Sequence, residues 1–156
     1  MSLKSELIFY SKLCYNKGFV AAYDGNISVR IRKDVKAVVH SHPKFAPAFA
    51  AAGIALVKPV YPVIYLILGK IPLAKYAAPS TDEVPQSVSA YVKDHNAILL
   101  ANHGLVTYGM TIVEAYYLTE KVEQFAEISF YTRSLGGEKQ LTKSQLAKPG
   151  KLKINK

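Results

Sequence analysis

The sequence contains very little cysteine and lacks any long uninterrupted apolar run. Cys14 is the only cysteine among 156 residues, so an intrachain disulfide is excluded and the composition suits a reducing compartment. No apolar run approaches the roughly 18 residues that a membrane-spanning helix requires. The first residues, MSLKSE, lack the apolar core and cleavage site of a signal peptide. We therefore expect a cytoplasmic protein that makes no membrane contact.

Acidic residues are also few. There are 11 of them against 20 lysines and arginines, which gives a formal charge of +9. Such an excess is compatible with a nucleic-acid partner, an anionic metabolite or simply a basic surface. Six of the lysines fall in the last 18 positions, so a solvated tail supplies much of the charge. No basic stripe is interleaved with aromatic residues as in nucleic-acid modules, and we expect no nucleic-acid partner.

Half of the residues are hydrophobic, which is enough for one domain with a sizeable core. Apolar periodicity, caps and glycine stops predict helices near residues 2–18, 44–52, 80–95 and 111–135, and strands near 27–31, 35–42, 71–76, 97–101 and 105–109. Residues 54–68 contain Pro59 and Pro62 and are predicted to be extended and irregular. The pattern predicts a three-layer α/β/α domain with a largely antiparallel central sheet at residues 1–135, followed by a basic C-terminal tail at residues 136–156.

Two of the predicted helices begin with the pattern of a capping box, in which a serine or threonine N-cap is followed by glutamate at N3. The pairs are Ser80 with Glu83 and Thr111 with Glu114. The second pair opens a long helix, and its predicted buried stripe comprises Tyr117, Leu118, Val122, Phe125, Ala126 and Ser129. We expect the helix to bury this face.

Three histidines stand where predicted strands end. Residues i and i+2 of a strand project from the same face, so His40 and His42 should point together. His103 follows a second apolar strand about 60 residues later. Imidazole nitrogens suit a borderline-soft divalent ion such as zinc. The HxH spacing alone is weak evidence, but two strand ends that each deliver histidine predict a metal site.

A tight turn, Asp24-Gly25-Asn26, precedes the first predicted strand. Its backbone amides, beside Asn26 and Ser28, could hold an anionic oxygen. The alternative is an ordinary turn into a strand, and on spacing alone that alternative is the better supported. The turn by itself therefore leaves an anion site open.

Five motifs, taken together and in this order, resemble the class II aldolase/adducin family. They are DGNISVR at 24–30, AVVHSHP at 37–43, IPLAKY at 71–76, LANHG at 100–104 and EAYY at 114–117. The resemblance covers residues 5–135 and is nearest to the branch that acts on L-fuculose 1-phosphate. It implies a zinc-dependent aldolase that cleaves a phosphorylated ketose to dihydroxyacetone phosphate and an aldehyde. A pentulose-phosphate 4-epimerase, a dehydratase or a non-catalytic adducin-like interaction domain remain open as alternatives.

The resemblance also implies roles for individual residues. His40, His42 and His103 would ligate one Zn2+ per subunit, leaving an open coordination position that admits the substrate. Such a metal stabilises the negative charge that develops when the carbon–carbon bond breaks. The substrate phosphate would be held by the turn residues Gly25 and Asn26 together with Ser28.

Family members assemble as homotetramers with active sites at subunit contacts, so the resemblance implies a homotetramer here. A tyrosine from a neighbouring subunit would protonate the departing aldehyde oxygen. The distance to the Ile71-Pro72 motif places this tyrosine at Tyr61, with Tyr65 as the second choice.

The chain departs from the family pattern between its first two strands. Family members carry some tens of residues there, including a Ser-Ser-Glu motif whose serines hold phosphate and whose glutamate is the catalytic acid/base. Here only Arg32, Lys33 and Asp34 join Ile31 to Val35, and Asp34 lies in too short a loop to replace the glutamate. Loss of that proton transfer would lower the rate by about two to four orders of magnitude.

Two explanations of the short join are open. The segment is truly absent, leaving a domain that binds metal poorly and catalyses nothing. Alternatively, the segment exists in the protein but is disordered and missing from this sequence. The second is favoured because the join lacks the glycine or asparagine of a good turn and the motifs around it are intact.

Overall fold

A computed structural model describes residues 2–22, 24–29 and 36–147. Its helices are α1 (Leu3–Asn16), α2 (Phe45–Ala51), α3 (Pro62–Leu68), α4 (Glu83–Ser89), α5 (Ile112–Ser134) and α6 (Lys143–Ala147). Its strands are β1 (Asn26–Val29), β2 (Ala37–Ser41), β3 (Leu73–Ala74), β4 (Ala97–Leu100) and β5 (Gly104–Gly109). The predicted connection at Arg32, Lys33 and Asp34 lies outside the described residues, as does the end of the tail at 148–156. In the part of the chain described, none of the helices is both long and apolar enough to cross a membrane.

The five strands form one sheet in the order β1-β2-β5-β4-β3. The pairs β1–β2, β2–β5 and β4–β5 are antiparallel, and only β3–β4 is parallel. This confirms the predicted α/β domain with a largely antiparallel sheet. The short strand β3 forms one edge of the sheet.

Strand alternation divides the core between the two faces of the sheet. On one face, Leu99 and Leu105 are buried against α2, α3 and α5. On the other face, Ile98 and Leu100 pack with Val88 of α4. The sheet therefore has helices on both faces, and the α4 face is the one that His40 shares with Val38.

Two of the predicted helix starts are confirmed. Ser2 is the N-cap of α1, and its hydroxyl accepts a hydrogen bond from the Ser5 amide at 3.2 Å. Thr111 is the N-cap of α5 and accepts from the Glu114 amide at 3.1 Å. The Glu114 carboxylate accepts in return from the Met110 amide at 2.7 Å, one residue before the donor of a standard capping box.

Residues 54–68 were predicted to be extended, and this is wrong for the second half, where α3 forms. Pro62 stands at the first helical position, where a missing N–H costs nothing and the ring presets φ. Ile64 and Leu68, four residues apart, are buried on one side of α3. The apolar i, i+4 spacing overrides the extended preference that two prolines indicate.

The predicted capping box at Ser80 is also wrong. Ser80 has φ +63°, and α4 begins at Glu83 after an Asp82 N-cap. The Glu83 carboxylate accepts from the Ala78 amide at 3.0 Å, and the helix ends at Ser89, before the predicted end near His95. The local pattern identified a helix start here but placed its cap two residues too early.

In the buried stripe of α5, the prediction chose the wrong tyrosine. Tyr117 is 50% exposed, whereas its neighbour Tyr116 is fully buried. Tyr116 packs against Tyr10 and Phe19, with ring centroids 5.2 and 6.2 Å away. The other predicted members of the stripe are buried: Leu118, Val122, Phe125, Ala126 and Ser129.

Candidate functional site

Three histidines converge at one end of the sheet. One ring nitrogen from each of His40, His42 and His103 lies within 4.8 Å of the others, and the Nε2 atoms of His40 and His42 are 3.2 Å apart. His40 lies in β2, His42 follows the last residue of that strand, and His103 lies in the β4–β5 turn. The predicted histidine cluster therefore forms.

The β4–β5 turn presents His103. Leu100 pairs with Gly104, which leaves a three-residue loop whose middle residue, Asn102, has φ +54°. Asparagine tolerates this left-handed conformation better than most residues. The His103 amide donates to the Leu100 carbonyl at 3.0 Å, which closes the turn and fixes the backbone of His103.

Gly104 provides space for the ring of His42. A Cβ at residue 104 would overlap that ring and lie 2.8 Å from the Ser41 carbonyl oxygen. The His42 amide donates to the Phe19 carbonyl at 2.7 Å, so its backbone is held as well. This lack of space for a side chain explains why a glycine follows His103 in the LANHG motif.

Burial sets the protonation of His40 and lowers the pKa of His103. It lowers the pKa of His40 to about 4, assisted by the neighbouring imidazoles of His42 and His103 and opposed by a hydrogen bond to Leu105. Burial and the charge of His42 also lower the pKa of His103. His40 is therefore neutral at neutral pH, with a nitrogen lone pair available to a ligand.

The donor set could hold a divalent metal ion. Two nitrogens at 2.0–2.1 Å from a tetrahedral ion lie about 3.3 Å apart, and the His40–His42 pair already has nearly this spacing. The Nδ1 of His40 lies 3.1 Å from the Leu105 carbonyl oxygen, the kind of contact that orients metal-binding histidines from behind. Neutral imidazoles suit zinc and similar ions.

The histidines line a cavity of about 500 Å³ between the sheet and α4. Asp24, Gly25 and Asn26 line it beside the histidines, and an apolar wall is formed by Val38, Val84, Val88, Leu100, Val106 and Tyr108. Burial raises the pKa of Tyr108 to about 12, so its hydroxyl stays protonated. Sequence reasoning did not identify Tyr108, although β5 alternation places it two residues from Val106 on the same face.

The structure brings two of the three predicted phosphate residues into this cavity. Gly25 and Asn26 line it, but Ser28 does not. The register pairs Asn26 with His40 and Ser28 with Val38, so Ser28 is on the same face of the sheet but two pairs farther from the histidines.

The predicted catalytic tyrosine lies elsewhere in the chain's own fold. Tyr61 is the N-cap of α3 and packs, partly buried, against the core that includes Phe49 and Leu68. Tyr65 lies within α3. Neither lines the cavity described here, so either could reach a histidine cluster only in another copy of the chain.

The predicted Ser-Ser-Glu segment has no counterpart. The sequence contains no adjacent serines, and residues 30–35, where the family carries the motif, lie outside the described residues, so both explanations of the short join stay predictions. Among the described residues that line the cavity, only Asp24 carries a carboxylate. Its Oδ2 lies 3.8 Å from Nδ1 of His42.

Comparison with known proteins gives matches to one family. The family model described as the Class II Aldolase and Adducin N-terminal domain matches residues 30–130, a range that contains all three clustered histidines and begins after the 24–26 turn. An L-fuculose phosphate aldolase of Methanococcus maripaludis is 34% identical over 105 residues, 67% of this chain and 56% of the relative. A 5-deoxy-D-ribulose 1-phosphate aldolase of Bacillus thuringiensis is 31% identical over 121 residues, which cover 77% of this chain and 56% of the relative.

A third relative carries a different reaction name: a 3-oxo-tetronate 4-phosphate decarboxylase of Escherichia coli is 31% identical over 99 residues, 61% of this chain and 47% of the relative. The chain spans about half the length of these curated relatives. Solved structures with the same fold include YgbL of Klebsiella pneumoniae, with TM-score 0.83, 21% identity and coverage of 94% of this chain and 96% of that one. L-fuculose-1-phosphate aldolase of Thermus thermophilus has a TM-score of 0.77 and 20% identity, and the match covers 88% of this chain and 97% of that one.

Proposed function

Because this chain belongs to the class II aldolase and adducin family, we propose that it is a metal-dependent lyase. Its substrate would be a phosphorylated ketose of the fuculose 1-phosphate type, cleaved to dihydroxyacetone phosphate and an aldehyde. One observation carries the proposal: His40, His42 and His103 converge in the cavity that the Gly25-Asn26 turn also lines. Relatives named as L-fuculose phosphate aldolases support the choice of substrate.

The three histidines would hold one Zn2+ per subunit. A bound ion would supply Lewis-acid polarisation of the substrate's carbonyl and hydroxyl oxygens. His40 is suited to this role because burial keeps it neutral and the Leu105 carbonyl fixes its ring. Three neutral ligands also leave the charge of the ion undiminished for the substrate.

Gly25 and Asn26, with Ser28 beyond them, would bind the substrate phosphate. The turn can present backbone N–H groups toward the cavity, since Gly25 adopts φ +76°, and such turns bind anions. The same turn lies against β2 through the Asn26–His40 pair, so phosphate and metal would be held at a fixed separation.

Proton transfer would need a second copy of the chain. We assign the proton donor to Tyr61 of a neighbouring subunit, with Tyr65 as second choice, and therefore expect a homotetramer. Because no Ser-Ser-Glu acid/base is present, we expect a rate about two to four orders of magnitude below that of an aldolase that has one. We also propose a cytoplasmic location, because a chain whose only cysteine is Cys14 can form no intrachain disulfide.

The missing acid/base favours a second candidate, a metal-binding interaction domain of the adducin kind that catalyses nothing. A third relative, the decarboxylase, shows that reactions within the family differ. Epimerisation, dehydration and decarboxylation of sugar phosphates are therefore the alternatives to cleavage at the same site.

The test is zinc content and product formation. Purified protein is equilibrated with Zn2+, its metal is measured by mass spectrometry, and L-fuculose 1-phosphate is added with a coupled assay for dihydroxyacetone phosphate. We expect one zinc per chain and slow product formation, both lost in His103→Ala and kept in His95→Ala. Zinc without product would favour the interaction domain, and a protein that binds no zinc would overturn the metal-dependent proposal.

A further inference from the structure

Asp24 and His42 face each other at the rim of the cavity. The Asp24 Oδ2 lies 3.8 Å from Nδ1 of His42, the ring nitrogen other than the one that approaches His40, and the Asp24 side chain is 59% exposed. This distance is longer than a hydrogen bond. A small rotation of an exposed side chain or one bridging water would close it.

The contacts of His40 favour one position of the His42 proton in the metal-free site. A carbonyl oxygen can only accept, so the Nδ1 of His40 donates to Leu105 and, in the neutral ring, its Nε2 carries the lone pair. A hydrogen bond between the two rings then requires the Nε2 of His42, 3.2 Å from that lone pair, to donate to it. In this arrangement the proton of His42 occupies the nitrogen that a metal ion would need.

Metal binding therefore requires the other tautomer of His42, with its proton on Nδ1. In that tautomer the N–H dipole points toward the negative Asp24 carboxylate and is stabilised. In the Nε2–H tautomer, a nitrogen lone pair faces the same carboxylate, which is unfavourable. Asp24 thus opposes the His40–His42 hydrogen bond and favours the form in which Nε2 is free.

We propose that Asp24 is a positioning residue that selects the Nδ1–H tautomer of His42 and so opens the histidine cluster to a metal ion. The choice of tautomer is a property of the metal-free protein, and only its consequence for metal affinity rests on the proposed function. Asp24→Asn keeps an oxygen that can accept from Nδ1, whereas Asp24→Ala removes it. Asp94, an exposed aspartate in the turn after α4, provides a matched loss of charge in Asp94→Asn.

The first experiment reads the tautomer without metal. Histidine ring nitrogens of the 15N-labelled, metal-free chain are recorded by long-range 1H–15N NMR at alkaline pH in the wild type and the three variants. We expect the Nδ1–H fraction of His42 to fall most in Asp24→Ala, to fall less in Asp24→Asn, which keeps an acceptor oxygen but loses the charge and gains an N–H donor, and to remain at the wild-type value in Asp94→Asn. An unchanged His42 tautomer in Asp24→Ala would overturn the inference.

The second experiment measures Zn2+ affinity by competition with a chromophoric chelator. We expect Asp24→Ala to bind about 10- to 100-fold more weakly, Asp24→Asn to lie between Asp24→Ala and the wild type, and Asp94→Asn to match the wild type. If the wild type binds no zinc but the tautomer responds to Asp24, the proposed function fails and tautomer selection stands. If zinc binds equally in wild type and Asp24→Ala, the inference fails and the proposed function stands.

Discussion

Gly25 lies against the carbonyl of His40. A Cβ built on Gly25 would stand 2.7 Å from that carbonyl oxygen and 2.6 Å from a methyl group of Val20. Only a residue without a side chain allows the turn before β1 to approach β2 so closely. The glycine therefore couples the candidate phosphate turn to the strand that carries two of the three histidines.

Gly25→Ala should accordingly cost more stability than Gly18→Ala. Both glycines have positive φ, +76° and +69°, but nothing lies within 4 Å of a Cβ at Gly18. Left-handed backbone strain costs either alanine about 1–2 kcal/mol, and overpacking adds about 1–3 kcal/mol at Gly25. Urea unfolding measures the free energy of unfolding of both variants. Equal decreases in the two variants would contradict the inference that Gly25 is required for steric reasons.

Metal should stabilise the fold through the histidine cluster. At a free Zn2+ concentration 100 times the dissociation constant, the wild type should gain about 2.7 kcal/mol of unfolding free energy. His103→Ala should lose nearly all of this gain, because two remaining histidines bind an ion weakly. The measurement is urea unfolding with and without Zn2+.

His95→Ala is the control for that experiment. It removes the fourth histidine of the chain, whose Nδ1 lies 3.3 Å from the Tyr91 carbonyl oxygen, outside the cluster. Its zinc-dependent gain should equal that of the wild type. A comparable loss in His95→Ala would mean that zinc stabilises the chain at another place.

The histidine cluster could be predicted from sequence because strand periodicity fixes which side chains share a face. His40 and His42 are two residues apart, so no tertiary information is needed to place them together, and His103 was added because it also follows a predicted apolar strand. The relation of Asp24 to His42 could not be predicted, because it depends on the β1–β2 register that pairs Asn26 with His40. Tyr108 enters the cavity through the β2–β5 register for the same reason.

The mistakes in the fold prediction were local choices that tertiary packing decides. Two adjacent tyrosines, Tyr116 and Tyr117, fit a helical stripe almost equally, and the aromatic neighbours Tyr10 and Phe19 select the first. Pro62 reads as a helix breaker unless it is known to occupy the first helical position. The burial of Tyr116 and the helical position of Pro62 thus depend on the surrounding structure and not on the type of the residue itself.

The metal-free fold should lose stability in mild acid through His40. Burial lowers its folded pKa from 6.5 to about 4, so between these values the unfolded chain binds more protons than the folded one. The contribution of His40 to the free energy of unfolding is therefore fully present above about pH 6.5. It falls as pH decreases toward 4, by up to about 3 kcal/mol. Urea unfolding across this range should show a smaller decrease in His40→Gln, while His95→Gln should keep the wild-type slope.

A buried carboxylate connects the C-terminal region to the domain. The side chain of Glu138 is only 3% exposed, and its carboxylate accepts hydrogen bonds from Lys58 Nζ at 2.8 Å and from Arg133 Nε at 3.2 Å. Burial alone would raise its pKa, but the hydrogen bonds from Lys58 and Arg133 outweigh burial and hold the pKa below its ordinary value. The Leu141 amide also donates to the Pro59 carbonyl at 2.9 Å, so residues 138–141 lie against the segment before α3.

Glu138→Gln should destabilise the fold at neutral pH by about 2 kcal/mol, the scale of hydrogen bonds to a charged group. Because the folded pKa is depressed, the contribution of the carboxylate is present above its unfolded pKa of about 4.3 and is lost as pH falls through the folded value. The difference between wild type and variant in urea unfolding should therefore shrink below about pH 4. Asp94→Asn, an exposed change of equal charge, should show no such difference, and a pH-independent loss in Glu138→Gln would indicate packing rather than the ion pairs.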